Sequence, residues 1–231
     1  MSGLPPDSDN FSLYAVDREH EVEQQRADSI ARLGATDALA PGTFFPPERQ
    51  GKLDFSAAWN DWLEVEFENW LGERFIAIHL AAAHMQSDRI AEIDREIDTR
   101  LPVAARNRGR KAALPYLEGR SEVRRQPQWV KFLRAREAGE IPGQLPSIFA
   151  LQSALFHLPL LPALTAYVTL EGANGLAAMA GGKRLDSSEF LARYPESAET
   201  ARRVFRNGVT GLAGNSSDND RDDPPGHLAC V

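Results

Sequence analysis

The stretch over residues 75–85 constrains the fold most, because nearly all of its side chains are apolar. Placed on a helix at about 100° per residue, these side chains cover every face, and only His79 and His84 are polar. A helix that is apolar all round lies in a protein interior. The sequence therefore predicts a buried central helix over residues 56–86, with the hydroxyl of Ser56 as its N-cap.

Gly72 and three tryptophans give this predicted helix further detail. A glycine inside a helix costs about 1 kcal/mol relative to alanine, so Gly72 indicates either close backbone packing or a break. Trp59, Trp62 and Trp70 share one stripe of the helix. We expect this stripe to form a large core contact, and a ligand platform is the alternative.

The totals favour a single cytoplasmic domain. The 231 residues can bury a real core, and a net charge of −7 does not favour a nucleic-acid or membrane-surface protein. Cys230 is the single cysteine, which excludes a disulfide within the chain and argues against a cysteine-based zinc site. The N-terminus lacks the basic and apolar regions of a secretory signal, so we expect a cytoplasmic location.

Prolines, glycines and helical periodicity divide the chain into its predicted elements. We predict an extended arm over residues 1–16, a single helical domain over residues 17–208 and a flexible tail over residues 209–231. Alternating strand patterns are nearly absent, so the fold class is mainly α, a compact domain of about six to nine helices around the central one. The other predicted helices cover residues 17–33, 89–101, 103–113, 127–138, 146–157 and 162–171, then a short helix capped by Ser187 or Ser188, and one from Ser197 to Gly208.

A proline-rich loop precedes the central helix, over residues 34–54. Prolines flank the pair Phe44 and Phe45, so neither a helix nor a central strand can continue through it. We expect the two rings to pin the loop to the core, and a binding lip is the alternative.

A long stretch without charge lies later in the chain. Residues 141–170 contain no Asp, Glu, Lys or Arg, and a run of this length raises the question of a membrane span. Pro159 and Pro162 would free backbone groups that lipid cannot satisfy. We therefore expect two helices of a soluble core joined at the prolines, with membrane or peripheral insertion through this stretch as the alternative.

Between Arg100 and Arg136 the charge reverses. Eleven Lys and Arg residues face two Glu residues there, a net charge of +9 within a chain of net charge −7. Such a segment can neutralise nucleic-acid phosphates, dock an acidic protein or pair with the chain's own acidic helices. Trp129 lies within it as a candidate for stacking on bases, although no DNA- or RNA-binding sequence signature is present. The candidate residues for binding a partner or polyanion are Arg106, Arg108, Arg110, Lys111, Arg120, Arg124, Arg125, Trp129 and Lys131.

A weaker pattern suggests a metal or acid–base site. Two carboxylates of the central helix are seven residues apart, about two turns, and a histidine–aspartate pair is one turn apart. A helical carboxylate site also needs ligands from other helices. No His-Glu-x-x-His or Glu-x-x-His spacing supports such a site, and the glycines match neither a dinucleotide fingerprint nor a P-loop. The candidate ligands are Glu66, Glu73, His84, Asp88, His157 and Glu171.

These patterns favour a non-catalytic helical accessory or adaptor subunit that binds another protein in a larger assembly. One alternative is a nucleic-acid-associated helical protein that uses the basic segment over residues 100–136. Another is a helical metal-dependent enzyme with a carboxylate–histidine site. No cofactor is predicted, an enzyme is not favoured, and the sequence does not indicate whether the chain self-associates.

Overall fold

Helices account for nearly all of the chain that can be described. The structure, a computed structural model, describes residues 42–44, 54–118, 126–180 and 184–214. These residues form a mainly α, multi-helix domain, which confirms the predicted fold class. The elements are α1 (Phe55–Trp62), a π-helical segment (Leu63–Leu71), α2 (Gly72–Ala83), α3 (Ser87–Arg100), α4 (Val103–Glu118), α5 (Pro127–Glu137), α6 (Leu145–Leu155), α7 (Leu160–Ala180), α8 (Ser187–Arg193) and α9 (Glu196–Gly214).

The central rod consists of α1, the π-helical segment and α2 in direct succession. Its N-cap is Asp54 rather than the predicted Ser56, because the Asp54 carboxylate accepts hydrogen bonds from the amides of Ser56 and Ala57 at 3.0 and 3.5 Å. A carboxylate at this position also offsets the positive end of the helix dipole. Ser56 lies inside the first turn and is exposed.

Gly72 marks close packing and not a break. The rod continues through it, and a Cβ atom at Gly72 would lie 2.5 Å from Val204 Cγ1 of α9. Its amide donates to the Phe67 carbonyl five residues earlier, which is the hydrogen bond of a π-helix. The prediction of close packing is therefore confirmed, and the glycine coincides with the return from π- to α-helix.

An aromatic cluster holds the preceding loop against the rod. Phe44 is 2% exposed, and its ring centroid lies 4.9 Å from that of Trp59. Trp59 and Trp62 are buried and stacked, with centroids 5.0 Å apart. Such ring contacts stabilise beyond their buried area. Phe44 pins the loop to the core and the two tryptophans form a core contact, as predicted, while Phe45 lies outside the described residues.

The helix α7 is a second buried axis of the domain. It was predicted to end at residue 171, but it continues through Gly172 and Gly175 to Ala180. A Cβ atom at Gly172 would collide with the Phe190 ring, and one at Gly175 would collide with the Phe44 ring. The two glycines therefore admit rings from other segments instead of ending the helix.

The charge-free stretch forms α6 and the first half of α7, two buried helices joined by a turn before Pro159. The turn closes with a hydrogen bond from the Leu158 amide to the Ser153 carbonyl at 2.9 Å, and His157 adopts φ +57°. The prediction of two core helices is confirmed, with the second longer than expected. Among the helices described, none has both the length and the apolar character that crossing a bilayer requires.

The cap of α8 differs from the prediction of Ser187 or Ser188. Asp186 is the N-cap, and its carboxylate accepts a hydrogen bond from the Glu189 amide at 2.8 Å. The Glu189 side chain accepts in turn from the Asp186 amide at 3.1 Å. This reciprocal capping box satisfies two amides that have no partner within the helix, which a serine one residue later would not do.

The helix α9 starts and ends differently from its prediction. It runs over Glu196–Gly214, so Ser197 lies inside the first turn and Gly208 does not end it. Ser197 is fully buried, and its hydroxyl accepts from the Trp59 indole at 3.0 Å. A Cβ atom at Gly208 would lie 2.5 Å from Ile76 Cδ1, so this glycine again permits close packing on the rod.

The end of α4 also differs from its prediction. The helix α4 extends to Glu118, beyond the predicted residue 113, and contains Pro115. Pro115 lies near the end of the helix, where its missing N–H removes one backbone hydrogen bond of the last turns. The predicted arm, the predicted helix over residues 17–33 and the tail beyond Gly214 lie outside the described residues.

Candidate partner-binding surface

The helices α3 and α5 pack against each other and form the base of this surface. The isoleucines of α3 at positions 90, 93 and 97 are buried at helical spacing. In α5, Trp129 is 1% exposed and stacks on Phe132, with ring centroids 6.2 Å apart. The buried rings fix the orientation of α5, and Lys131 and Arg134 are exposed as a result.

A groove of about 600 Å³ runs between these two helices, and we call it the apolar groove. Its floor is formed by apolar side chains, and charged or polar side chains stand along its rim. The floor comprises Ile90, Ala91, Phe132, Ala135 and Ile141, and the rim includes Asp88, Arg95, Gln128, Lys131, Arg134 and Glu140.

Met85 adds an exposed apolar side chain at one end of the groove. It lies in the turn between α2 and α3, is 61% exposed and adopts φ +61°. Gln128 of the rim contacts the Met85 sulfur and donates to the Ala82 carbonyl at 3.0 Å. A positive φ is uncommon outside glycine, and a methionine in water is an adaptable contact for a partner.

A second depression, the polar cleft, adjoins the groove and has a volume of about 530 Å³. It shares Arg95, Glu140 and Ile141 with the groove, so the two form one continuous surface. Its walls come from α3, α4, the end of α5 and the turn that follows α5. The lining is Arg95, Asp98, Thr99, Arg110, Arg136, Gly139, Glu140, Ile141 and Pro142.

Asp98 of the polar cleft is fully engaged by the protein. The Arg110 guanidinium binds it in a two-point contact, from Nε to Oδ1 at 2.8 Å and from Nη2 to Oδ2 at 2.7 Å. Gln144 Nε2 also donates to Asp98 Oδ1 at 2.5 Å, and Arg106 Nε lies 3.6 Å from Oδ2. Two-point arginine–carboxylate contacts combine strength with a fixed geometry. The negative charge of Asp98 is therefore compensated within the protein.

Arg95 and Arg136, unlike Asp98, are not paired with a charged or polar group of the described residues. Neither side chain has a hydrogen-bond or ion-pair partner among the described residues, and Arg136 Nε is buried without one. The stem of Arg136 packs on Gly143, where a Cβ atom would lie 2.7 Å from Arg136 Cδ. Packing on Gly143 therefore restrains the stem of Arg136, while no described residue pairs with its guanidinium group.

Asp94 fixes the wall of the cleft from below. Its fully buried carboxylate accepts from the amides of Gly143 and Gln144 at 2.7 and 2.9 Å, next to the N-terminus of α6. Burial raises the pKa of the Asp94 carboxyl, and these hydrogen bonds oppose the rise. The carboxylate supplies acceptors for amides that the helix itself leaves unpaired.

The residues predicted to bind a partner do not share one environment. Arg110 and Lys131 line the surface, and Lys111 is exposed on α4. Arg106 donates to the carbonyls of Thr99 and Leu101 at 3.3 and 3.2 Å and serves the scaffold. Trp129 is buried in α5, and Arg108 is half-buried in α4. Three predicted positions lie outside the described residues: Arg120, Arg124 and Arg125.

Trp129 corrects the prediction of a stacking ring. It is part of the core beneath the apolar groove, so its ring is not available to stack on a base. Its face of α5 meets the core, which a count of charges along the chain does not reveal. Arg108 is half-buried, and its charge interacts with buried Glu171; burial lowers the pKa of Arg108 and the carboxylate opposes this.

Glu171, a candidate metal ligand, is a fully buried anchor for the segment over residues 42–44. Its carboxylate accepts from the Thr43 amide at 3.0 Å, the Thr43 hydroxyl at 3.0 Å, the Phe44 amide at 3.1 Å and the Tyr167 hydroxyl at 2.7 Å. Burial raises the pKa of Glu171, and these bonds oppose the rise. Four protein donors occupy the acceptor sites of this carboxylate.

Two other candidate ligands lie on the central rod and have local partners. Glu66 accepts from the Trp70 indole at 2.7 Å. Glu73 is exposed, and its carboxylate lies 3.1 Å from the Arg74 guanidinium. Both carboxylates are therefore engaged by neighbouring side chains of the rod.

The remaining candidates lie in turns. His84 and Asp88 are exposed at the turn between α2 and α3, and His157 is exposed at the turn between α6 and α7. Within the described ranges, no three His, Cys, Asp or Glu side chains form a group suited to a metal ion. The buried histidine is instead His79, whose Nε2 lies 3.0 Å from the Leu158 carbonyl oxygen; burial lowers its pKa and this contact opposes the fall.

Sequence reasoning missed three residues that build the surface: Arg95, Asp94 and Asp98. All three lie on α3, outside the segment of reversed charge. The available signal was spacing, because Asp94 and Asp98 follow Ile90 at intervals of four and therefore share its buried face. An acidic residue within the apolar stripe of a helix indicates a carboxylate that the fold must satisfy.

The surface combines two chemical capacities. Its groove can bury apolar side chains, and its cleft presents Arg95 and Arg136, which have no acceptor among the described residues. No protein-family model, curated protein or solved structure matches this chain. The geometry of the described residues therefore supports the functional inference without help from relatives.

Proposed function

We propose that the protein is a non-catalytic helical subunit that binds an acidic amphipathic helix of another protein in the apolar groove. The observation that carries this proposal is the groove itself, an apolar floor between α3 and α5 with cations along its rim. A partner helix would insert apolar side chains at i, i+3, i+4 and i+7 and direct its carboxylates to the rim.

Charge complementarity selects the occupant. The groove and the polar cleft together are lined by five cations and three carboxylates, a net charge of +2 on a chain of net charge −7. One of those carboxylates, Asp98, is already compensated. Opposite charges across an interface accelerate association and suppress wrong partners. An acidic partner segment is therefore attracted more strongly to this face than to the rest of this acidic chain.

The same features favour a protein over a nucleic acid. Asp88 and Glu140 lie among the cations of the rim, whereas a nucleic-acid backbone needs a largely uninterrupted basic track. Trp129 is buried, and none of the described residues that line this face presents an exposed aromatic ring for stacking. The apolar floor offers nothing to phosphates but suits the anchors of a helix.

The test uses paired substitutions of alanine by glutamine. Ala135→Gln places a larger polar side chain on the groove floor, and Ala57→Gln makes the same change on the exposed face of α1. A partner would be captured from the native host at low and high salt, identified, and reduced to its shortest binding peptide. Affinities of that peptide for the two variants would then be measured by fluorescence anisotropy.

We expect an acidic amphipathic peptide whose affinity falls at least tenfold, about 1.4 kcal/mol, in Ala135→Gln and is unchanged in Ala57→Gln. A peptide that binds both variants equally would contradict the proposal. So would recovery of nucleic acid alone, and only at low salt, because that result would assign the surface to a polyanion.

A further inference from the structure

The polar cleft contains more positive charge than the protein itself uses. Three guanidinium groups line it, from Arg95, Arg110 and Arg136. Arg110 directs Nε and Nη2 at Asp98, so its charge is matched. Arg95 and Arg136 are the two whose side chains have no partner among the described residues. Two unmatched positive charges therefore face one depression.

Arg136 lines the cleft without a polar partner among the described residues. Its Nε atom is buried, and leaving a buried donor unpaired is unfavourable. Its stem is held by Gly143, which adopts φ +71° and has no side chain to displace it. Packing on Gly143 therefore restricts the stem of Arg136 before any ligand arrives, which reduces the entropy that binding would otherwise cost.

The charge and the donor geometry select the class of ligand. A carboxylate carries one negative charge and would match only one of the two arginines. A phosphate monoester carries about −1.5 to −2 at pH 7 and presents three acceptor oxygens. Arginine forks bind such oxygens in pairs. Glu140, the other acid of the cleft, is exposed at the rim and can turn to solvent.

We propose that the polar cleft binds a phosphate group carried by a phosphorylated side chain of the protein partner, with Arg95 and Arg136 as its principal ligands. The inference rests on the proposed function for the source of the phosphate, because the cleft adjoins the apolar groove. A helix seated in the groove would place a flanking phosphoserine or phosphothreonine over the two arginines.

Binding would be measured on the full chain by calorimetry and by NMR of the arginine Nε–H groups, at constant ionic strength. The probes are phosphoserine, inorganic phosphate, acetate and a single-stranded oligonucleotide. The variants are Arg95→Gln and Arg136→Gln, with Arg202→Gln as the matched control because Arg202 is exposed on α9. Arg95 is itself exposed, so Arg95→Gln tests the site even if Arg136→Gln does not fold.

We expect saturable binding of phosphoserine, tighter than that of inorganic phosphate or acetate. Each cleft variant should weaken it at least tenfold, while Arg202→Gln leaves it unchanged. No saturable binding, equal binding of acetate, or an equal loss in Arg202→Gln would overturn the inference. Tighter binding of inorganic phosphate would overturn the side-chain source, and tighter binding of the oligonucleotide through the same arginines would assign the cleft to nucleic acid.

The groove variant separates this inference from the proposed function. Ala135→Gln is neutral and does not line the polar cleft, so phosphoserine should bind it as it binds the unaltered chain. If Ala135→Gln binds both phosphoserine and the peptide normally, the groove is not the peptide site, and the assignment of the phosphate to the cleft stands. If Arg95→Gln and Ala135→Gln both lose phosphoserine binding, the assignment of the phosphate to the cleft is overturned.

Discussion

Glu171 and the arginines of the polar cleft are charged groups held by the same helical domain, but they differ in their hydrogen-bond partners. Glu171 is fully buried, and four donors from the protein reach its carboxylate. Arg95 and Arg136 stand at a cleft without acceptors from the described residues. A satisfied buried charge is part of the structure, whereas an unsatisfied charge at a cleft is available to a ligand.

The comparison also explains why charge in a sequence is a poor guide to function. Glu171 follows a long stretch without charge, which made it a candidate ligand, yet it ties residues 42–44 to α7. Arg95 is one of many charged residues on α3 and drew no attention, yet it lines both depressions. What separates the two residues is the set of atoms around each, which comes from distant parts of the chain.

The largest effect should come from Glu171→Gln. An amide in place of the carboxylate removes an acceptor and leaves buried donors of Thr43 and Tyr167 unmatched, which should cost about 3 kcal/mol of unfolding free energy. Urea denaturation measures the loss, and Glu73→Gln, at an exposed position, should change stability by less than about 0.5 kcal/mol. Equal stabilities of the two variants would refute the anchoring role of Glu171.

A smaller loss is expected from Gly42→Ala. The added methyl group would collide with the Glu171 carboxylate and push the loop from its anchor, at a cost of about 2 kcal/mol. A double-mutant cycle with Glu171→Gln measures the coupling, because both changes act on one contact. Strictly additive losses would show that the glycine and the carboxylate do not act together.

The pH dependence of stability sharpens the same contrast. Burial raises the pKa of Glu171 above its ordinary value of 4.5, so the folded state binds its proton more tightly than the unfolded state does. The stability that comes from this tighter binding of the Glu171 proton is fully present below pH 4.5, and it is lost as the pH rises through the pKa of the folded state. The stability difference between the unaltered chain and Glu171→Gln should therefore narrow as pH rises above 4.5, as urea denaturation at several pH values would show. A difference that widens would mean that the four donors outweigh burial.

The smallest effect on stability should come from Arg95→Gln. This side chain has no partner in the described part of the chain, so its loss should change the unfolding free energy by less than about 0.5 kcal/mol. Arg110→Gln makes the same chemical change beside Asp98 and should cost about 1–2 kcal/mol, because that carboxylate loses its two-point partner. Equal costs for the two variants would remove the distinction between matched and unmatched arginines.

Local patterns predicted the helices well because apolar spacing and capping act within a few residues. The isoleucine stripe of α3 and the core helices α6 and α7 follow directly from the spacing of apolar residues. Glycine is the recurring source of error, since the helices predicted to end at residues 171 and 208 continue through Gly172 and Gly208. Whether a glycine ends a helix or admits a neighbour depends on a residue far along the chain, such as Phe190.

The candidate surface was predictable only in part. The run of basic residues located Arg110 and Lys131, which are exposed to the two depressions. It misplaced Trp129, because aromatic residues in a basic segment pack into the core as readily as they stack on ligands. The cleft itself is assembled from α3, α4 and the turn after α5, and no single stretch of sequence contains that arrangement.

Because part of the central rod is π-helical, the number of residues in the rod matters as well as their identity. A π-helix pairs residues five apart, where an α-helix pairs residues four apart, so the segment contains residues that an α-helix would not need. The wider turns absorb these residues, so the number of residues in the segment sets how the face of α1 that buries Trp59 is oriented relative to α2. We expect the spacing between Trp62 and Gly72 to tolerate substitutions far better than deletions or insertions.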